Sequence, residues 1–360
     1  MKSLSYDIDP GGDIELILRK PNKQEIVPYD RERSRDWDPA GPDSTNPRCL
    51  GRYKVFSELS PGDEGKNLET EVCMRVSSQH LKLASHTFRA MLQGPWAEAV
   101  LSPQPIRQIS TEGWDAFALA IVLDCIHGRH FEVPTKITPG LLTRISTIVD
   151  YYQCREAVQV HYRTWTDSSV CRLADEEEHE VQLNVMWLFI SWVFHDERRF
   201  RKMSGMFLRC SLGMSQFETN ELPVTGILGK LDGIRQTLFK KISEALDSLQ
   251  EELTDEGGCS EERDPSCSAI LLGILMRERH WLTFDYGHLV PPFDECTLNA
   301  ILKYIKEMEL PMPQHHGHKK LKPDTYRGKF PPCTVQGRLM PVLEEIEETM
   351  YGVRLANFKS

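Results

Sequence analysis

Residues 80–99 read HLKLASHTFRAMLQGPWAEA. Leu81, Leu83 and Ala84 make one apolar helical turn, for which Ser77 and Ser78 stand as N-cap candidates. Ser85 can cap a second turn that carries Phe88, Met91 and Leu92 at helical spacing. Gly94-Pro95 ends that turn. The stretch is thus expected to form two short consecutive helices, followed by a small loop carrying Trp96 and Glu98.

Working outward, Asp13–Leu18 alternates polar and apolar residues, as does Glu71–Val76, and each predicts a half-buried strand. Between them residues 19–66 are rich in Pro, Asp, Arg, Gly and Ser. They read as a long, mostly irregular insertion with one short strand at Tyr53–Phe56, so the two strands form a hairpin with a very long loop. Downstream, Ile106–Ile109 reads as a short strand. Thr111-Glu112-Gly113 opens a helix in which Trp114, Phe117, Ala118, Ile121, Val122 and Cys125 share a face, and Gly128 stops it. Thr138-Pro139 is an N-cap followed by a proline at the first helical position. The helix after it carries Leu141, Leu142, Ile145, Ile148 and Val149, and Ala157–Trp165 continues it in broken form. The order strand, strand, helices, strand, helices predicts an α+β cluster over 12–165.

After Thr166 the chain reads as mostly helix. The apolar run VMWLFISWVF, 185–194, is too short to span a bilayer and reads as a buried helix. Ile227, Leu231, Ile234, Leu238, Ile242, Leu246, Leu249 and Leu253 recur every three or four residues, giving one long amphipathic helix. Its spacing fits an intramolecular seat or a coiled-coil partner; the absence of a clear flanking charge pattern favours the seat. The expected organisation is a helical region at 174–253, a polar linker at 254–268 and a helical C-terminal segment at 269–360. The last segment includes an extended Pro/His/Lys-rich stretch at 311–333, with helices expected at Ala269–Met276, Thr297–Met308 and Met340–Met350.

Composition narrows the function classes. The 360-residue chain is 40% apolar and 27% charged, as in globular domains, and its net charge of −10 argues against a uniform nucleic-acid-binding face. The opening MKSLSYDIDPGGD has no apolar core of a secretory signal, and the ten cysteines include no C-x-x-C pair. Reduced, mostly buried thiols and an intracellular protein, nuclear or cytoplasmic, are expected, with no membrane partner.

GDIELIL, EVCMRVSSQHLKLASHTFRAML, PIRQI, TEGWDAFALAIVLDCIHGR and LLTRISTIVDYYQCREAV together resemble the BTB/POZ domain. The most specific phrase is Ser85-x-x-Phe88-x-x-Met91-Leu92 after a strand and a leucine-rich turn. The chain is similar to the fungal group in which a single BTB domain precedes an uncharacterised helical region. The resemblance covers about residues 12–165 less the 19–66 insertion, and implies a small sheet flanked by short helices. It places Leu81, Leu83, Phe88, Trp114, Phe117 and Ile121 in that core. Two departures are mild: Ser78 or its neighbour stands where the family usually has His, and Cys125-Ile126-His127-Gly128 replaces a common Ile-Tyr-Thr-Gly. A third is larger, because swapped BTB homodimers use an extra strand and helix upstream, and only twelve residues precede Asp13 here. The resemblance therefore argues against the swapped homodimer.

The family implies a protein-binding module without chemistry or cofactor, and many members bridge a client to a cullin-RING ubiquitin ligase. Those adaptors present a hydrophobic-x-Glu signature in the loop after the second short helix, where this chain has Trp96 and Glu98. By that resemblance Trp96, Glu98, Met91 and Leu92 form the partner face, with an aromatic filling a pocket and a carboxylate pairing at its edge. The other reading of the loop folds Trp96 back onto its own domain. The family equally allows a scaffold or regulatory protein with no ligase role, and the client of the helical half is not named by any residue.

Among other constellations, His315, His316 and His318 with Cys333 downstream, and Cys259 and Cys267 upstream, are weak zinc-ligand candidates whose spacings match no standard finger. Lys319, Lys320 and Lys322, and Arg198, Arg199, Arg201 and Lys202, read as solvated basic faces. No glycine-rich phosphate cradle, G-x-S-x-G elbow or H-E-x-x-H helix is present, so no enzyme is expected.

Overall fold

The computed structural model describes residues 2–26, 51–59, 70–93, 106–167, 181–217, 219–255, 265–308 and 334–358. These residues fall into two compact units, one within Met1–Phe200 and Thr219–Thr225, the other within Arg201–Glu218 and Gly226–Ser360.

The first unit is built on a four-stranded sheet, β1 (Lys2–Asp7), β2 (Ile14–Arg19), β3 (Thr70–Val76) and β4 (Arg107–Glu112), in the order β1-β3-β2-β4. β2 and β3 pair antiparallel with Leu16 opposite Met74, as the hairpin reading requires. β4 lies parallel to β2 and β1 parallel to β3. The sequence reading lacked β1, since only Leu4 and Tyr6 of KSLSYD are apolar. Both are buried, at the period of two that a half-buried strand demands. Gly12 lets the chain turn from β1 to β2, because a Cβ there would collide with the Val76 carbonyl.

Two short helices follow β3: α1 (Ser78–Ala84) and α2 (His86–Gln93). After β4 come α3 (Ala116–Ile126), α4 (Pro139–Tyr152) and α5 (Arg155–Asp167). Every residue of α3 is buried, so this helix is the centre of the unit. It opens later than expected. The chain stays in β4 to Glu112, turns at Gly113 with φ 86°, and is capped by Asp115, whose carboxylate accepts from the Ala118 N–H at 2.8 Å. The expected Thr138 cap and Pro139 start of α4 are present. Gln153 in the left-handed region separates α4 from α5.

Three further expectations change. Residues 51–58 form a 3₁₀ helix, not a strand at Tyr53–Phe56. Tyr53 and Phe56, three residues apart, fall on one side of it and are buried against β1 and α3. Helix α6 (Val181–Val193), which carries most of the apolar run, packs on α4 and belongs to the first unit. Leu83 is 81% exposed, correcting its place in the core. Leu81 and Leu83 are two residues apart on α1 and cannot both face inward, and Leu81 is the one buried. The other expected core residues, Phe88, Trp114, Phe117 and Ile121, are buried.

Helix α7 (Glu197–Cys210) contains the boundary between the units, and the second unit holds most of α8 (Thr225–Asp255), with α9 (Pro265–Tyr286), α10 (Leu298–Glu307) and α11 (Val335–Tyr351). The stripe on α8 is buried as the spacing predicts, from Ile227 to Leu253, so the helix has an intramolecular seat. One position differs: Ile234 is half-buried and its neighbour Arg235 is completely buried. Helices α9 and α11 are each longer than the apolar windows suggested, and α11 tolerates an internal proline, Pro341. Among the described residues, no helix is long and apolar enough to cross a membrane. The Pro/His/Lys-rich stretch, with His315, His316, His318 and Cys333, lies outside the described residues, as does Cys259.

Candidate docking surface

The phrase Ser85-x-x-Phe88 is a clasp between α2 and α4. The Ser85 hydroxyl accepts from the Phe88 N–H at 2.9 Å, which caps α2, and donates to the Tyr152 carbonyl at the end of α4. One small side chain therefore satisfies the start of one helix and the end of another. The Phe88 ring stacks on Tyr152 with centroids 4.2 Å apart and planes 8° apart. Burial pushes the Tyr152 phenol up to about 12, and its hydroxyl donates to Thr111 Oγ1 at 3.1 Å, where the Trp114 indole also donates at 2.9 Å. At the other end of α2, both terminal nitrogens of Arg107 reach the Leu92 carbonyl at 3.5 Å, placing a cation at the helix C-terminus.

The start of α1 is fixed from β2. Ser77 occupies the N-cap position without capping through its side chain. Asp13 does that work, accepting from the Ser78 N–H and hydroxyl, each at 2.7 Å. Burial raises the Asp13 carboxyl, but these bonds outweigh it and hold it below the ordinary range. Behind it, the Ser77 N–H donates to His127 Nε2 at 2.9 Å, which makes Nδ1–H the donor to the Leu123 carbonyl at 2.8 Å. Burial and then the neighbouring His80 ring hold His127 neutral, with its pKa below the usual histidine value; the Leu123 bond works the other way.

The α1–α2 pair is thus held by bonds to β2, β4, the end of α3 and α4, while some apolar side chains project outward. Leu83 is exposed, Met91 is half-buried, and Tyr151 is 58% exposed with its ring edge-on to Trp114 at 5.3 Å. Thr87 donates to the Tyr151 carbonyl at 3.2 Å, which sets that tyrosine beside the first turn of α2. Leu92, expected on the partner face, is only 6% exposed; it anchors α2 to its own core and leaves contact to Met91. Trp96 and Glu98 lie outside the described residues.

A second polar cluster was missed by sequence reasoning. Asp124, on the central helix and fully buried, accepts through one oxygen from Tyr6 at 2.6 Å and Tyr53 at 2.8 Å. Arg52 lies 3.8 Å from its other oxygen and 4.7 Å over the Tyr6 ring. Burial raises the Asp124 carboxyl despite these partners. The cluster ties β1 and the 3₁₀ segment to α3. The only advance signal was the Tyr53/Phe56 pair inside an otherwise polar segment.

The arrangement around α1 and α2 presents apolar and aromatic groups on rigidly held backbone, which suits binding a protein partner. No family model, curated protein or solved structure matches the chain.

Proposed function

We propose that this chain is a BTB/POZ-type adaptor whose first unit offers the loop after α2, with Trp96 and Glu98, to the cullin scaffold of a RING ubiquitin ligase, while the helical second unit takes a client protein. The observation that carries the reading is the succession hairpin, α1, α2, parallel β4 and central helix α3, with Ser85 and Phe88 clasping α2 to α4. That clasp gives the most specific phrase of the resemblance a structural reason: the serine and the aromatic hold α2 against the end of α4. Leu83 and Tyr151, beside the first turn of α2, and Met91 on its last turn supply apolar surface around that helix. An interaction protein without chemistry, acting in the nucleus or cytoplasm, is the function this proposal assigns.

The test is a pull-down from host lysate with wild type beside Trp96→Ala/Glu98→Ala, read by mass spectrometry. Recovery of a cullin by wild type and its loss from the folded variant is the expected result, and the other proteins retained are then candidate clients. Wild type that recovers no cullin contradicts the ligase role and leaves a BTB scaffold.

A further inference from the structure

Two histidines outside the docking surface face one another. His130 follows the central helix α3, and His161 is on α5. Their Nδ1 and Nε2 atoms are 2.9 Å apart and their ring centroids 5.1 Å apart. Both positions are fixed by bonds that do not involve the imidazoles. The turn before His130 is set by Gly128 at φ 73° and by the Arg129 N–H donating to the Asp124 carbonyl at 2.9 Å. His161 lies one helical turn from the buried Trp165, whose indole donates to the Pro134 carbonyl at 2.7 Å. The His161 ring also rests 5.7 Å from the Trp165 ring.

We propose that His130 and His161 form a binding site for a borderline divalent transition cation of the Zn²⁺ class, with water completing its coordination. Three observations carry the proposal. Two imidazole nitrogens converge, one from the turn after α3 and one from α5, and imidazole is the side chain that suits these cations best. With Zn–N bonds of about 2.0–2.1 Å, a tetrahedral ion holds two nitrogens roughly 3.3 Å apart, so the nitrogens must part by a few tenths of an ångström and the rings tilt until both lone pairs point at one ion. Among the described residues the hydrogen bond that these two rings make is to each other, and no carboxylate pairs with either. His130 is exposed and His161 half-buried, which leaves open positions for water. With only two protein ligands, the site binds reversibly and staples α5 to the turn after α3.

The sequence holds a competing candidate, the His315, His316 and His318 tract, so the experiment separates the two. The full chain is titrated with Zn²⁺ at neutral pH by calorimetry as wild type, His130→Ala, His161→Ala and the triple His315→Ala/His316→Ala/His318→Ala variant. Loss of one equivalent, or weakening by about tenfold or more, in each single variant and not in the triple variant is expected. Circular dichroism confirms that each variant is folded, and Zn²⁺ protection of His130 and His161 from diethyl pyrocarbonate, read by mass spectrometry, locates the ion. Unchanged Zn²⁺ binding in His161→Ala, loss only in the triple variant, or no binding by wild type overturns the proposal. In those cases the pair is simply an N–H···N hydrogen bond.

Discussion

The two units each bury a charge, and they treat it differently. In the second, Arg235 is completely buried and each of its three guanidinium nitrogens has a partner. Nε donates to Asp232 at 2.8 Å, and the terminal nitrogens to the Phe293 and Pro292 carbonyls at 2.6 and 2.8 Å. It also lies over the Phe239 ring, which itself stacks on Phe293 at 5.1 Å. In the first, Asp124 is equally buried, but both tyrosines crowd onto one carboxylate oxygen while the other has no hydrogen-bond partner among the described residues. The planar fork of arginine matches two carbonyls and a carboxylate at once. The Asp124 carboxylate, reached from β1 and from the 3₁₀ segment, is satisfied on one side only. Arg235 therefore locks a loop onto α8 tightly, and Asp124 gathers β1 and the 3₁₀ segment more loosely.

The comparison is broken most sharply at Arg235. Arg235→Met leaves two carbonyls without their donor and Asp232 with Gln236 alone, and is expected to cost about 3–5 kcal/mol, read as a fall in the urea midpoint. Arg235→Met/Asp232→Leu should recover part of that loss, since an apolar pair no longer strands a charge. Recovery of nothing would mean that the loop carbonyls, and not the ion pair, dominate.

Tyr53→Phe removes one of two donors to the same Asp124 oxygen, and about 1–3 kcal/mol is expected, near the lower end because Tyr6 remains. Equal losses from Tyr53→Phe and Arg235→Met would erase the distinction between the two sites. Ser85→Ala removes the cap of α2 and the bond to α4, for about 0.5–2 kcal/mol by thermal unfolding.

The smallest effect is a pH dependence. The His127 pKa is lower in the folded chain than in the unfolded one, so the unfolded state binds protons more readily. Its contribution is fully present above about pH 6.5, the ordinary histidine value, and is lost as the pH falls towards the lower folded value. His161 is shifted in the same direction. Urea midpoints of wild type should therefore decline between about pH 6.5 and 5, and less steeply in His127→Gln. Parallel profiles would remove His127 from the account.

What the sequence discloses follows from how local each signal is. The caps at Ser85 and Thr138 and the α8 stripe rest on residues within a turn or two of their neighbours, and the hairpin on the alternation inside each of its two strands, so all are legible. The strand β1 was not, because two apolar residues among serines acquire meaning only beside β3. Arg235 was hidden because a charged residue next to a hydrophobic stripe reads as solvent-facing until the Pro292 and Phe293 carbonyls are in place. Helix α6 groups with the first unit, which its sequence does not disclose, since a nearly all-apolar surface marks a helix as buried without saying by what. Within the docking surface, residue spacing identified α2, but which of Met91 and Leu92 turns inward depended on tertiary packing.

We propose docking of a cullin by the first unit through Trp96 and Glu98. Its most direct test is a titration of purified cullin scaffolds from the source cell against immobilised full-length chain, as wild type, Trp96→Ala/Glu98→Ala and Leu83→Ala. The account predicts saturable binding of one scaffold by wild type and a loss of about tenfold or more in the double variant, as expected for a central aromatic anchor. Leu83→Ala should give a smaller loss, as expected at a rim. No saturable binding of any scaffold by wild type, or equal affinity in the double variant, would contradict it.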